Sequence, residues 1–94
     1  MLGIIRVLTT DQKDILQEHG RLMNEKFHID TYSDCIKDQP NGIYDDASET
    51  LATPKIVTLA QSMAENKKVK ALTISCAADP ALNEVRNVVD IPVL

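Results

Sequence analysis

ALTISCAADP, residues 71–80, carries the signals of a buried strand that turns at once into a helix. Residues 72–74 are apolar or β-branched and favour an extended, half-buried backbone. Asp79 is a good N-cap, and Pro80 suits the first helical position, where its missing N–H is not needed. We therefore expect Cys76 at the carboxyl end of a strand, beside a helix N-terminus.

A thiol in that position has two possible roles. The N-terminus of a helix carries partial positive charge and unpaired N–H groups, which stabilise a thiolate and attract a carboxylate. Cys76 is therefore a candidate catalytic residue for chemistry on a small acid. Ala77, Ala78 and Asp79 are candidate substrate-binding residues, since small side chains let a ligand approach the backbone. The spacing leaves open that Cys76 is a packed, structural cysteine and Asp79 only a helix cap.

Outward from this stretch, short apolar runs alternate with helical patterns. Strands are predicted at residues 3–8, 29–36, 71–76 and 91–94. Helices are predicted from the capping-box pair Thr9 and Gln12 to Phe27, from Thr53-Pro54 to the lysines of residues 67–70, and at residues 80–89, and a further helical turn is expected at residues 48–52. Strands separated by helices are parallel, with right-handed crossovers. The pattern predicts a three-layer, flavodoxin-like, doubly wound α/β fold with strand order 2-1-3-4 and an incomplete last strand.

This topology predicts where a ligand binds. In the order 2-1-3-4 the first and third strands are neighbours, and ligands bind outside the carboxyl ends of strands where the chain reverses direction. Thr9 and Thr10 would then lie beside Cys76, and we expect both to bind substrate. As an alternative, both threonines are helix caps. His19 is interpreted as a packed histidine and Cys35 as a structural thiol at the sheet edge.

Composition narrows the function further. The 94 residues suffice for one domain, and the net charge of −4, with one Phe, two Tyr and no Trp, argues against nucleic-acid binding. No run approaches the roughly 20 apolar residues of a membrane span, and no signal peptide is recognisable. Two cysteines without a secretory signal indicate free thiols and a cytoplasmic location. No zinc-ligand spacing or glycine-rich loop is present, so we expect no cofactor and no metal.

Three blocks of sequence resemble a known family. They are GIIRVLTT (residues 3–10), QPNGIYDDASETLATPKI (39–56) and TISCAADPALNEVRNVVDIPVL (73–94). Together they are similar to the hydantoin racemase branch of the aspartate/glutamate racemase superfamily, most specifically in C-x-x-D-P-x-L followed by I-P-V-L. Members have two similar α/β lobes, with one catalytic cysteine from each lobe facing a shared cleft.

The resemblance implies a cofactor-independent racemase acting on a small amino acid or hydantoin. It implies that Cys76 is the catalytic cysteine of the first lobe and that Ala77 and Ala78 supply backbone donors. It further implies that Asp79 caps the adjacent helix and that Thr9 and Thr10 form the loop after the first strand. Residues 1–94 match only an N-terminal lobe, so we expect a fragment of a two-lobe protein that is inactive, or nearly so, by itself.

Inversion needs a second acid, and Cys35 is expected on the same lobe as Cys76. The missing lobe or a second copy of the chain would have to supply that acid. Two other functions stay open: a non-catalytic module that binds a small acid or a partner chain, and a related cysteine decarboxylase or cis–trans isomerase.

Overall fold

The computed structural model describes residues 1–76 and 79–94, which form a layered α/β structure. The elements in chain order are β1 (Leu2–Arg6), α1 (Lys13–Phe27), β2 (Thr31–Cys35), α2 (Asp46–Ala64), β3 (Ala71–Ser75) and α3 (Leu82–Val88). The predicted alternation of strands and helices is therefore confirmed for these six elements.

The strands form a parallel sheet of order β2-β1-β3, with β1 in the centre. This confirms the predicted order of the first three strands. Residues 92–94 run beside β3: the Leu72 N–H donates to the Pro92 carbonyl at 2.9 Å, and the Leu94 N–H donates to the Leu72 carbonyl at 2.8 Å. This contact is an isolated parallel bridge between Leu72 and Val93, so the described residues do not contain the predicted fourth strand.

The two faces of the sheet are covered by different helices. Gly3 of β1 faces Met63 of α2, because a Cβ at Gly3 would lie 3.3 Å from the Met63 sulfur. Gly20 of α1 faces Ser33 of β2, because its Cβ would lie 3.1 Å from the Ser33 hydroxyl. Gly3 is paired with Tyr32, the neighbour of Ser33, so Gly3 and Ser33 point to opposite faces. Helix α1 therefore covers one face and α2 the other.

The main apolar core lies on the α2 side. Its strand residues include Ile5, Leu72 and Ile74, and α2 and α3 contribute Ile56 and Val85, which are fully buried. Burial of such side chains is the largest favourable contribution to folding. None of the helices among residues 1–76 and 79–94 has the length and apolar character needed to cross a lipid bilayer.

Helix α2 begins earlier than predicted, so the expected start at Thr53-Pro54 is wrong. The Asp45 carboxylate accepts from the Ser48 N–H at 2.8 Å, and the Ser48 hydroxyl accepts from the Asp45 N–H at 3.0 Å. This reciprocal cap starts the helix at Asp46, and Pro54 lies inside it. The hydrogen bonds from the backbone and then the side chain of Ser48 lower the pKa of Asp45. Capping and core burial outweigh the cost of an internal proline.

Helix α3 begins later than predicted, so Asp79 is not its N-cap. The helix starts at Leu82, after an N-cap at Ala81 with φ 60°. Asp79 lies two residues before this N-cap and has φ 50°. Pro80 is buried rather than placed in the first turn. The first N–H groups of α3 are therefore further along the chain from Cys76 than the sequence predicts.

Candidate functional site

The carboxyl ends of the three strands lie at one edge of the sheet, and β1 separates the other two. The chain passes from β1 to β2 on one side and later reaches β3 on the other. A topological switch point therefore lies between β1 and β3, where open α/β sheets form ligand-binding crevices. Cys76 directly follows β3 and lies at this edge.

Cys76 is a free, half-buried thiol directly after β3. Its N–H donates to the Ile74 carbonyl at 3.0 Å, and its carbonyl accepts from the Asp79 N–H at 3.1 Å. Asp79 is exposed. Ala77 and Ala78 lie outside the described residues, so their role as backbone donors stays a prediction. Since α3 has seven residues and starts at Leu82, it does not form the expected N–H cradle directly after Pro80.

Thr9 and Thr10 lie in the loop after β1, where they hold neighbouring backbone. The Thr9 hydroxyl donates to the Ile36 carbonyl at 2.6 Å and accepts from the Gln39 N–H at 2.7 Å. These bonds join the loop after β1 to the loop after β2. The Thr10 hydroxyl accepts from the Gln12 N–H at 3.1 Å, just before α1. Both side chains thus shape the edge of the sheet, and their contact with substrate stays a prediction.

The loop after β2 is held rigidly against the end of β1. Gln39 is buried, and its amide nitrogen donates to the Gly42 carbonyl at 3.3 Å and the Ser48 carbonyl at 2.7 Å. Gly42 has φ 65°, and a Cβ there would lie 3.0 Å from the Val7 carbonyl oxygen. Glycine is therefore required by both conformation and space. The organising role of Gln39 was not predicted from the sequence.

The last residues of the three strands form a polar row across the sheet, made of Arg6, Cys35 and Ser75. Arg6 is paired with Cys35 on one side and with Ser75 on the other, so all three side chains point to the α1 face. His19 of α1 reaches this row, where its Nδ1 forms a hydrogen bond with the Ser75 hydroxyl. The sequence interpretation missed Ser75 and Arg6 because it considered each strand separately. Strand alternation combined with the predicted order would have placed them together.

Cys35 ends β2 on the other side of Arg6. It is half-buried, and its thiol donates to the Thr10 carbonyl at 3.6 Å. A groove of about 490 Å³ near Cys35 is lined by Lys37, Pro54 and Lys55 but does not include Cys76. We place the candidate site at Cys76 rather than in this groove. Cys76 lies at the switch point, whereas the groove lies beside β2, the outermost strand on the other side of β1.

Within residues 1–76 and 79–94, no group of three or more His, Cys, Asp or Glu side chains is arranged to hold a metal ion. In comparisons with known proteins, the chain matches no protein-family model and no curated protein.

Proposed function

We propose that the chain provides one half of a cofactor-independent amino-acid or hydantoin racemase site, with Cys76 as the acid/base. The observation that supports this most is the position of a free, half-buried thiol at the switch point between β1 and β3. The flavodoxin-like order 2-1-3-4, with residues 91–94 as the start of a fourth strand, is part of the same proposal. So is a cytoplasmic location, which suits two free thiols.

In the proposed reaction, the Cys76 thiolate removes the hydrogen on the α-carbon of the substrate. The Cα–H bond breaks, an S–H bond forms, and the electron pair moves into the adjacent carbonyl. Backbone N–H groups of Ala77 and Ala78 would stabilise the negative charge on that carbonyl. Asp79 would contact the substrate beside them, and Thr9 and Thr10 would line the opposite side of the crevice.

Inversion of the α-carbon needs a proton delivered to its other face. Cys35 is poorly suited to this role, because its thiol lies against the Thr10 carbonyl on the β2 side of Arg6. We propose that the second acid comes from a second lobe or from a second copy of this chain. By itself the chain would then exchange the α-proton from one face without inverting the centre.

Thiol alkylation tests the proposed role of Cys76. In a Cys35→Ser background, Cys76 should react with iodoacetamide at pH 7 about tenfold faster than a cysteine in an unfolded peptide. A bound amino acid or hydantoin should slow this reaction. Cys76→Ser in the same background is the control that shows no labelling.

An ordinary rate without protection by any ligand would contradict the catalytic role and favour a non-catalytic binding module. Protection without α-proton exchange would favour a cysteine decarboxylase or a cis–trans isomerase.

A further inference from the structure

The guanidinium of Arg6 is buried without an anionic partner in its hydrogen bonds. Only 6% of the residue is exposed, on the central strand of the sheet. Its Nη1 donates to the carbonyls of Ile15 and Leu16 in α1, the latter at 3.4 Å. Its Nε is buried and has no hydrogen-bond partner among the described residues.

These bonds do not explain why a permanent charge lies here. In a regular helix the carbonyls of Ile15 and Leu16 already accept N–H groups four residues further on. A neutral carbonyl that is already bonded compensates a buried cation poorly, and buried guanidinium groups are normally paired with carboxylate or phosphate. A buried donor without a partner calls for an explanation, and a bound anion is the one that would also compensate the charge of Arg6.

The surroundings of Arg6 supply further donors. Ser75 flanks Arg6 at the same register, and His19 contacts the Ser75 hydroxyl. Ser33 lies on the same face of β2, and its hydroxyl is also buried without a partner among the described residues. Two unpartnered polar groups on one face, next to a hydroxyl and an imidazole, form a donor-rich environment for an anion.

We propose that Arg6, together with Ser75 and His19, binds the carboxylate of a small acid on the α1 face of the sheet. Ser75, His19 and Cys76 are each partly exposed, which leaves the β3 side of the site open. Ser75 directly precedes Cys76, but the Cys76 thiol packs against the core on the α2 side, so the carboxylate site and the thiol lie on opposite faces at the same end of the sheet.

NMR of the arginine side chains tests this site in the intact, unmodified chain. The sequence contains three arginines, Arg6, Arg21 and Arg86, so the Nε–Hε region holds three signals, which Arg21→Lys and Arg86→Lys assign. Titration with sodium acetate should shift the Arg6 signal to saturation, while exposed Arg21 stays unchanged at constant ionic strength. Equal concentrations of chloride and of hydantoin should leave the Arg6 signal in place.

Three results would overturn the proposal. An Arg6 signal that acetate does not shift means that the buried nitrogen binds an ordered water only. A shift with inorganic phosphate but not acetate contradicts the carboxylate assignment. A parallel shift of Arg21 indicates a general salt effect.

Substitution of the partner residues sharpens the test. Ser75→Ala should weaken acetate binding about tenfold, because it removes a hydrogen bond to a charged group. His19→Gln should weaken it less, since Gln retains a donor. Ser62→Ala, the same change at an exposed serine of α2, should leave binding unchanged. Equal affinities in Ser75→Ala and Ser62→Ala would remove Ser75 from the site.

The acetate experiment also separates this inference from the proposed function. Cys76→Ser should bind acetate normally while losing alkylation. Acetate binding with an unreactive Cys76 would therefore contradict the racemase proposal alone. A reactive Cys76 without acetate binding would contradict the Arg6 site alone.

Discussion

The two faces of the sheet differ in what they bury. The α2 face buries strand residues such as Ile5 and Ile74 against two helices, forming a continuous apolar core. The α1 face buries Ile4 together with the polar residues Arg6 and Ser33. In α1, all of which the structure describes, Gly20 alone is buried, and the helix packs through backbone proximity more than through large side chains. The α2 face thus stabilises the fold mainly through apolar burial, whereas the α1 face also holds polar groups at the carboxyl ends of the strands.

The largest expected effect comes from truncating the apolar core. Ile56→Ala should lower the free energy of unfolding by about 2–5 kcal/mol, because Ile56 is fully buried and its loss leaves a cavity. Ile15→Ala on α1 removes the same atoms from a side chain that is 37% exposed, and it should cost less than about 1.5 kcal/mol. Urea denaturation of both variants measures the difference. Equal losses would contradict the contrast between the faces.

Gly20→Ala tests the close packing of α1. A Cβ at this position would contact the Thr31 hydroxyl and lie 3.1 Å from the Ser33 hydroxyl. We expect a loss of about 1–3 kcal/mol from overpacking, despite the roughly 1 kcal/mol that Ala gains over Gly in helix propensity. Thermal unfolding measures the loss, and adding Thr31→Ala should recover part of it. A more stable Gly20→Ala variant would show that α1 can move away from the sheet.

Thr9→Val tests the hydrogen bonds that join the loops after β1 and β2. The substitution keeps the shape but removes the hydroxyl that bridges the Ile36 carbonyl and the Gln39 N–H. We expect a loss of about 1–2 kcal/mol, since two backbone groups lose a partner. Thr9→Ser is the matched control and should stay close to the parent chain in chemical denaturation. If Thr9→Val is as stable as Thr9→Ser, the bridge does not hold the two loops together.

The smallest effect is expected at the start of α2, far along the chain from the polar row. The pKa of Asp45 is lowered from its ordinary value of 3.8 by Ser48, so its ionised form stabilises the fold above that pH. This contribution is lost as the pH falls through the lower pKa of the folded state. Asp45→Asn retains a capping side chain without this titration.

Urea denaturation at several pH values from neutral to acidic checks this. The difference in stability between the parent chain and Asp45→Asn should shrink as the pH falls below 3.8. A stability difference that is independent of pH would show that the charge of Asp45 does not contribute to the cap. As a control, the rate of Cys76 alkylation should be equal in both chains.

The sequence predicts this fold well where periodicity and topology act together. Apolar runs alternate with amphipathic stretches, and this pattern predicted the parallel sheet, the central position of β1 and the placement of Cys76 after β3. These features depend on burial, which the spacing of apolar residues indicates, and on the right-handedness of crossover connections, which is general among proteins.

Residues that normally mark the start of a helix predicted the helix boundaries less well. Thr53-Pro54 and Asp79-Pro80 both suggested helix starts, but tertiary burial and the Asp45–Ser48 cap set the actual boundaries. The polar row was missed because it joins residues far apart in the chain: His19 and Ser75 are 56 positions apart. Such contacts can be predicted only when the register of the strands is known.

Exchange of the α-proton tests the central proposal most directly. A Cys35→Ser chain is incubated in D₂O with single enantiomers of small amino acids and of substituted hydantoins, and deuterium at the α-carbon is followed by NMR. We expect slow exchange with retained configuration in the Cys35→Ser chain and no exchange in Cys35→Ser/Cys76→Ser. Absence of exchange with every compound, or equal exchange without Cys76, would contradict the proposal that this thiol transfers the α-proton.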